Sequence, residues 1–131
     1  MLSVKHLIDT TSLTEDDIYQ ILDTARAFED VNNRAIKKVP ALRGRTIVNL
    51  FLEPSTRTKS SFELAEKRLS CDTLNFGGSS TSTVKGESLR DTVRTLCSYK
   101  IDAIVVRDKH AGAPYIVTQN SPSSVICAGD G

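Results

Sequence analysis

The sequence predicts an α/β fold, a doubly wound sheet of about four parallel strands with flanking helices. Short apolar segments rich in β-branched residues recur along the chain, and amphipathic segments of helical period separate them. Polar turns that contain proline or glycine join the two kinds of segment. This order is typical of parallel sheets covered by helices, which bind ligands at the carboxyl ends of their strands.

The predicted strands are short and apolar. They cover residues 46–52, 73–76, 103–106 and 124–128. Pro54 ends the first strand, and Gly129-Asp130-Gly131 is predicted to form a turn after the fourth.

The predicted helices alternate with these strands. The first covers residues 15–31 behind a Thr14 cap, and its apolar stripe, which we expect in the core, consists of Ile18, Ile21, Leu22, Ala25 and Phe28. The second begins at Ser55 and has an apolar face of Phe62, Ala65 and Leu69. The third covers residues 87–99, with Leu89, Val93, Leu96 and Cys97 pointing inward. A short fourth helix covers residues 114–117.

Composition excludes several classes of protein. The chain has 131 residues, 39% of them hydrophobic, and a net charge of +1, which fits one small domain with its own core. It has no polybasic field for nucleic acid, and it lacks an apolar run of membrane-spanning or secretory length. We therefore expect a cytoplasmic protein. The three cysteines are far apart, which favours reduced thiols over a disulfide framework or a zinc site.

Residues 55–58 are the strongest candidate for a binding site. Ser55, Thr56 and Thr58 open a helix directly after a strand, where unpaired N–H groups and hydroxyls can surround an anion. Arg57 adds a planar, permanently charged guanidinium group, whose geometry suits the oxygens of a phosphate. The alternative is that Ser55 only caps the helix and that Arg57 is a solvated surface charge.

Residues 51–58 (FLEPSTRT), followed by SFE at 61–63, resemble the carbamoyl phosphate motif of aspartate carbamoyltransferases. Ornithine carbamoyltransferases, the nearest alternative, share the STRT core but usually carry a lysine and no proline before it, where this chain has Glu53-Pro54. The resemblance covers residues 1–131 as a carbamoyl phosphate-binding domain. We expect that domain to be truncated at its C-terminal end and the aspartate-binding domain to be absent.

A polar, glycine-rich stretch at residues 77–89 would by composition be a linker. Residues 85–92 are, however, similar to the family's loop that supplies a lysine and a serine to the neighbouring subunit's active site. The resemblance places Lys85 at that lysine, and either Thr81 or Ser82 at the serine. A loop acting in this way implies a homo-oligomer, which by the resemblance would be a homotrimer with active sites shared between subunits.

Arg107 is the third candidate because it follows the third strand at the same sheet edge as Ser55. The resemblance implies that it binds and polarises the carbamoyl group, and the alternative is a structural salt bridge. His110 has no partner visible in the sequence, so we leave it out of the predicted site.

The chemistry that the resemblance implies is carbamoyl transfer from carbamoyl phosphate to the α-amine of L-aspartate, a step of pyrimidine biosynthesis that needs no metal or organic cofactor. Residues 55–58 would hold the phosphate, Thr58 and Arg107 would donate to the carbamoyl oxygen, and Lys85 would neutralise the crowded anions. Regulatory or other pathway subunits are partners of such enzymes. We expect the family's carbonyl-polarising histidine to lie beyond residue 131, and therefore little or no turnover from residues 1–131 alone.

A signalling module of flavodoxin-like fold is the alternative from another class. It would need clustered acidic residues at the strand ends to hold a metal ion. Arg57 and Arg107 occupy those ends instead, which favours the binding of a ready-made anion.

Overall fold

The computed structural model describes residues 1–77 and 88–131, which form four strands and four α-helices in alternating order. In chain order these elements are α1 (Glu15–Phe28), β1 (Thr46–Phe51), α2 (Thr56–Arg68), β2 (Asp72–Gly77), α3 (Leu89–Cys97), β3 (Ala103–Asp108), α4 (Ala113–Asn120) and β4 (Ser124–Asp130). The strands lie in the order β2-β1-β3-β4, and every neighbouring pair is parallel. The predicted fold class is confirmed.

The main core lies on one face of the sheet, under α3 and α4. Val48 and Leu50 of β1 pack there with Ile104 and Val106 of β3, and all four are fully buried. The helices contribute Val93, Leu96 and Val117. The inward face predicted for the third helix is therefore confirmed. On the opposite face, α2 packs on β1 and β2.

The apolar stripe of α1 is where the prediction fails. Ile18 is 39% exposed, Leu22 is 55% exposed and Phe28 is 36% exposed, because α1 packs closely on no strand or other α-helix in the described part of the chain. The amino end of α1 is instead fixed by polar contacts: Asp17 accepts hydrogen bonds from the backbone and hydroxyl of Ser3 and from the Thr14 backbone. The helix also ends at Phe28 and continues as a 3₁₀ turn, Glu29–Asn33.

The strand ends also differ from the prediction. The predicted turn at Gly129-Asp130-Gly131 is wrong, because β4 continues to Asp130 and pairs there with Asp108. β3 likewise continues past Val106 and includes Arg107. Both extensions form because each strand supplies the other's hydrogen-bonding partner. An unpredicted parallel bridge adds Leu7 to the outer edge of β4.

None of the helices in the described part of the chain combines the length and apolar character needed to cross a membrane.

Candidate functional site

The candidate site lies where the strand order changes direction. From β1 the chain passes to β2 on one side, while β3 lies on the other side. In open α/β sheets, ligands bind at such a point, beyond the carboxyl ends of the strands. Phe51, the last residue of β1, is directly opposite Arg107 near the end of β3. The turn that follows β1 and the Arg107 side chain therefore share one sheet edge.

The start of α2 offers donors to a ligand. Ser55 is the N-cap in extended conformation, but its hydroxyl makes no capping hydrogen bond. The first intrahelical bond is donated by Lys59 N–H to the Ser55 carbonyl, at 3.1 Å. The N–H groups of Thr56, Arg57 and Thr58 therefore precede the helical ladder and can donate to an external acceptor. The alternative interpretation, in which Ser55 only caps the helix with its side chain, is therefore wrong.

The side chains of this turn are accessible. Thr56 and Arg57 are exposed, and Ser55 and Thr58 are half-buried. Within residues 1–77 and 88–131, no acidic side chain forms an ion pair with Arg57. A permanently charged guanidinium thus lies beside the unpaired N–H groups at the positive end of the helix dipole, and together they can bind a phosphate.

Arg107 is held on two sides. Its Nη1 donates to the Ala128 carbonyl at 2.8 Å, and its Nε lies 3.3 Å from Glu53 Oε2. The salt bridge that was the alternative reading of Arg107 is therefore present. Because Glu53 comes from the β1–α2 turn and Ala128 from β4, these contacts fix the guanidinium between two strand ends. Its side chain is 28% exposed, so a ligand at this edge can still reach it.

Gly129 is a close neighbour of Arg107 that the sequence prediction missed as part of the site. A Cβ atom at this position would lie 2.8 Å from Arg107 Cγ and 2.9 Å from Nη1. Glu53 was used only to separate two families, and its pairing with Arg107 was also missed. Both contacts depend on which strands are neighbours, which the sequence prediction did not specify.

His110 has a partner after all. Its Nδ1 lies 2.9 Å from Asp108 Oδ1, and its backbone N–H donates to the same oxygen at 3.0 Å. The imidazole is 74% exposed and Asp108 is buried. The pair lies just beyond Arg107 and forms a tight turn into the loop before α4.

The structure thus brings Ser55, Thr56, Arg57 and Thr58 to the same edge as Arg107. The other predicted site residues, Thr81, Ser82 and Lys85, lie outside the described residues.

Comparison with known proteins identifies the family. The model of the family described as "Aspartate/ornithine carbamoyltransferase, carbamoyl-P binding domain" matches residues 5–131. The chain belongs to this family.

Two curated relatives cover nearly all of this chain. The aspartate carbamoyltransferase catalytic subunit of Desulfotalea psychrophila is 53% identical over 129 residues, which are 98% of this chain and 41% of that protein. The corresponding subunit of Carboxydothermus hydrogenoformans is 52% identical over 131 residues, 100% of this chain and 42% of that protein. The chain spans about two fifths of the length of these relatives.

Solved structures share the fold. The catalytic subunit of M. jannaschii aspartate transcarbamoylase superposes with a TM-score of 0.87 at 40% identity, over 98% of this chain and 42% of that one. Aspartate transcarbamoylase from Trypanosoma cruzi, solved in complex with carbamoyl phosphate and aspartate, superposes with a TM-score of 0.88 at 33% identity. That match covers 99% of this chain and 40% of the other.

Proposed function

We propose that this chain is the carbamoyl phosphate-binding domain of an aspartate carbamoyltransferase. The observation that carries the proposal is the start of α2, which lies at the same sheet edge as Arg107. It has no side-chain cap, and its Arg57 forms no ion pair with any of the residues that the structure describes. Membership of the carbamoyl-P binding domain family supports carbamoyl phosphate as that anion. The curated relatives named above are aspartate carbamoyltransferases, which favours aspartate over ornithine as the second substrate.

In the proposed reaction, the α-amine nitrogen of L-aspartate attacks the carbonyl carbon of carbamoyl phosphate. A carbon–nitrogen bond forms, and the carbon–oxygen bond to phosphate breaks with its electron pair going to the phosphate. The leaving phosphate takes the amine proton, and the products are N-carbamoyl-L-aspartate and phosphate. The reaction would belong to pyrimidine biosynthesis in the cytoplasm.

The described residues have distinct roles in this reaction. The first-turn N–H groups of α2 and Arg57 bind the phosphate, while Thr58 and Arg107 donate to the carbamoyl oxygen as negative charge develops on it. Glu53 and the Ala128 carbonyl hold the Arg107 guanidinium in place before the substrate arrives.

We further propose that the active site is shared in a homotrimer. In this arrangement, Lys85 and either Thr81 or Ser82 come from the neighbouring subunit. The support is the similarity of residues 85–92 to the family's loop. The residues that bind aspartate would lie in a second domain outside residues 1–131. Regulatory or other pathway subunits would be further partners.

Calorimetric titration of the 131-residue chain with carbamoyl phosphate tests the anion site. Loss of a charged hydrogen bond costs about 1.5–3 kcal/mol, so Arg57→Ala should weaken binding about 10- to 100-fold. Arg34→Ala is the matched control, because Arg34 is also exposed but pairs with Asp30. If circular dichroism shows that both proteins are folded and Arg57→Ala binds as tightly as the unmodified chain, the proposed anion site is contradicted.

A further inference from the structure

A glutamate is buried between α2 and the sheet, away from the anion-binding turn. Glu66 is 4% exposed, and its Oε1 accepts a hydrogen bond from Asn49 Nδ2 of β1 at 2.8 Å. The same amide donates to Asn75 Oδ1 of β2 at 3.1 Å. One carboxyl and two amides therefore join α2 to both strands beneath it.

If Glu66 were ionised, this cluster would contain more buried hydrogen-bond acceptors than donors to satisfy them. The two donor positions of the Asn49 amide are used by Glu66 and Asn75. Among the described residues, the buried acceptors Asn49 Oδ1 and Glu66 Oε2 and the buried Thr73 hydroxyl have no hydrogen-bond partner, and that hydroxyl brings only one hydrogen. A proton on Glu66 supplies the second donor, so that buried donors and acceptors balance.

Compensation of a negative charge at this position is weak, because the nearby Lys67 lowers the Glu66 pKa by less than burial raises it. Lys67 pairs with Glu63 at 2.9 Å, and no basic side chain in the described ranges forms an ion pair with Glu66. The titratable and charged groups around Glu66 are Glu63, Lys67 and Cys71. The strands face it with neutral groups only, those of Asn49, Thr73 and Asn75.

Burial has the largest influence on the Glu66 carboxyl and raises its pKa. The Asn49 hydrogen bond and the Thr73 hydroxyl beside the carboxyl lower the pKa, each by less than burial raises it. The burial of the charge and the count of hydrogen-bond donors therefore both favour a protonated, neutral Glu66.

We propose that Glu66 is a neutral carboxylic acid in the folded chain, and that its buried cluster with Asn49 positions α2 for anion binding. The positioning role rests on the proposed function, whereas the protonation does not. Glu66 lies ten residues after Thr56 in one uninterrupted helix, about 15 Å along its axis at 1.5 Å per residue. A shift of α2 at Glu66 therefore moves the N–H groups that receive the anion.

The pH dependence of unfolding tests the protonation. Because the folded pKa is raised, the folded chain binds more protons than the unfolded chain. The stability contributed by Glu66 is full below its ordinary pKa and is lost as pH rises through the folded pKa. Glu66→Gln keeps the shape and a donor, so it should lack this loss. Glu63→Gln, which changes a half-buried carboxylate on the same helix, should keep it.

Infrared difference spectra give a direct readout. When the spectrum of Glu66→Gln is subtracted from that of the unmodified chain, the band of a protonated carboxyl should remain at low pH. This band should be replaced by a carboxylate band as pH rises above the range in which glutamate ordinarily titrates. A carboxylate band at all pH values above about 5, or equal pH slopes of stability in Glu66→Gln and the unmodified chain, would overturn the protonation.

Titration with inorganic phosphate tests the positioning role. We expect Glu66→Gln to bind phosphate like the unmodified chain and Glu66→Ala, while still folded, to bind about tenfold more weakly. Equal binding by folded Glu66→Ala would overturn the role. If the unmodified chain does not bind phosphate, the proposed function and the positioning role both fail, and the infrared result separates that failure from the protonation.

Discussion

Replacing Gly129 with alanine should disable Arg107 without touching the arginine itself. The new Cβ would lie 2.8 Å from Arg107 Cγ, 2.9 Å from Nη1 and 3.0 Å from Cζ, closer than real Cβ contacts allow. The guanidinium must therefore move. It then loses the 2.8 Å hydrogen bond to the Ala128 carbonyl and the 3.3 Å contact with Glu53.

The size of the effect follows from the lost contacts. A hydrogen bond to a charged group contributes about 1.5–3 kcal/mol, so a misplaced Arg107 should weaken carbamoyl phosphate binding by about 10- to 100-fold. Calorimetric titration measures the affinity, and a thermal melt shows whether the variant is folded.

Gly44→Ala is the matched control. A Cβ at Gly44 meets nothing within 4 Å, but its φ of +84° disfavours alanine. This variant should therefore lose stability, by about 1 kcal/mol, and keep its affinity. If Gly129→Ala binds carbamoyl phosphate as tightly as the unmodified chain, the assignment of Arg107 to the ligand is refuted.

Two further predictions concern the fold. The contacts of Asp17 with Ser3 and Thr14 lower its pKa to about 2, so the stability it contributes is present above its ordinary pKa and lost as pH falls through about 2. Acid titration followed by circular dichroism should show Asp17→Asn less stable at neutral pH and less sensitive to acid; parallel acid curves would contradict this. Leu96 is 1% exposed, so Leu96→Ala should cost about 2–5 kcal/mol in urea unfolding. Leu22→Ala, at a 55% exposed position, should change stability by no more than about 0.5 kcal/mol, and equal losses would refute the assigned core.

The sequence was sufficient to predict the sheet because its central strands are buried on both sides. Continuous apolar runs such as the one ending at Phe51 mark such strands, and their alternation with helices fixes the parallel class. Strand ends were less predictable, since Arg107 extends β3 by pairing with Phe51 of β1 and with Gly129 of β4. Hydrogen-bonding partners of this kind lie far apart in the sequence.

The contacts of α1 and α2 show a second limit. An amphipathic pattern tells which face of a helix is apolar but not which element covers it, and Leu22 is exposed for that reason. On α2 the apolar pattern favoured Ala65, which is exposed, whereas Glu66 is buried. One available signal was Asn49, a polar residue inside an apolar strand, because buried amides require polar partners.

The candidate site could be predicted in part, since residues 55–58 and Arg107 follow strands whose carboxyl ends meet at one edge. The partners of Arg107 could not, because Glu53 and Ala128 approach it only through the order of the strands.

The bridge between Leu7 and β4 joins distant parts of the chain, so the Leu7 segment can pair only after β4 has been synthesised. Leu7 N–H donates to the Val125 carbonyl, and Cys127 N–H donates to the Leu7 carbonyl, each at 2.8 Å. When Leu7 leaves the ribosome, its partner strand is more than a hundred residues from being made. The segment around Leu7 is thus among the last to find its place, after β1, β2 and β3 have had time to pair.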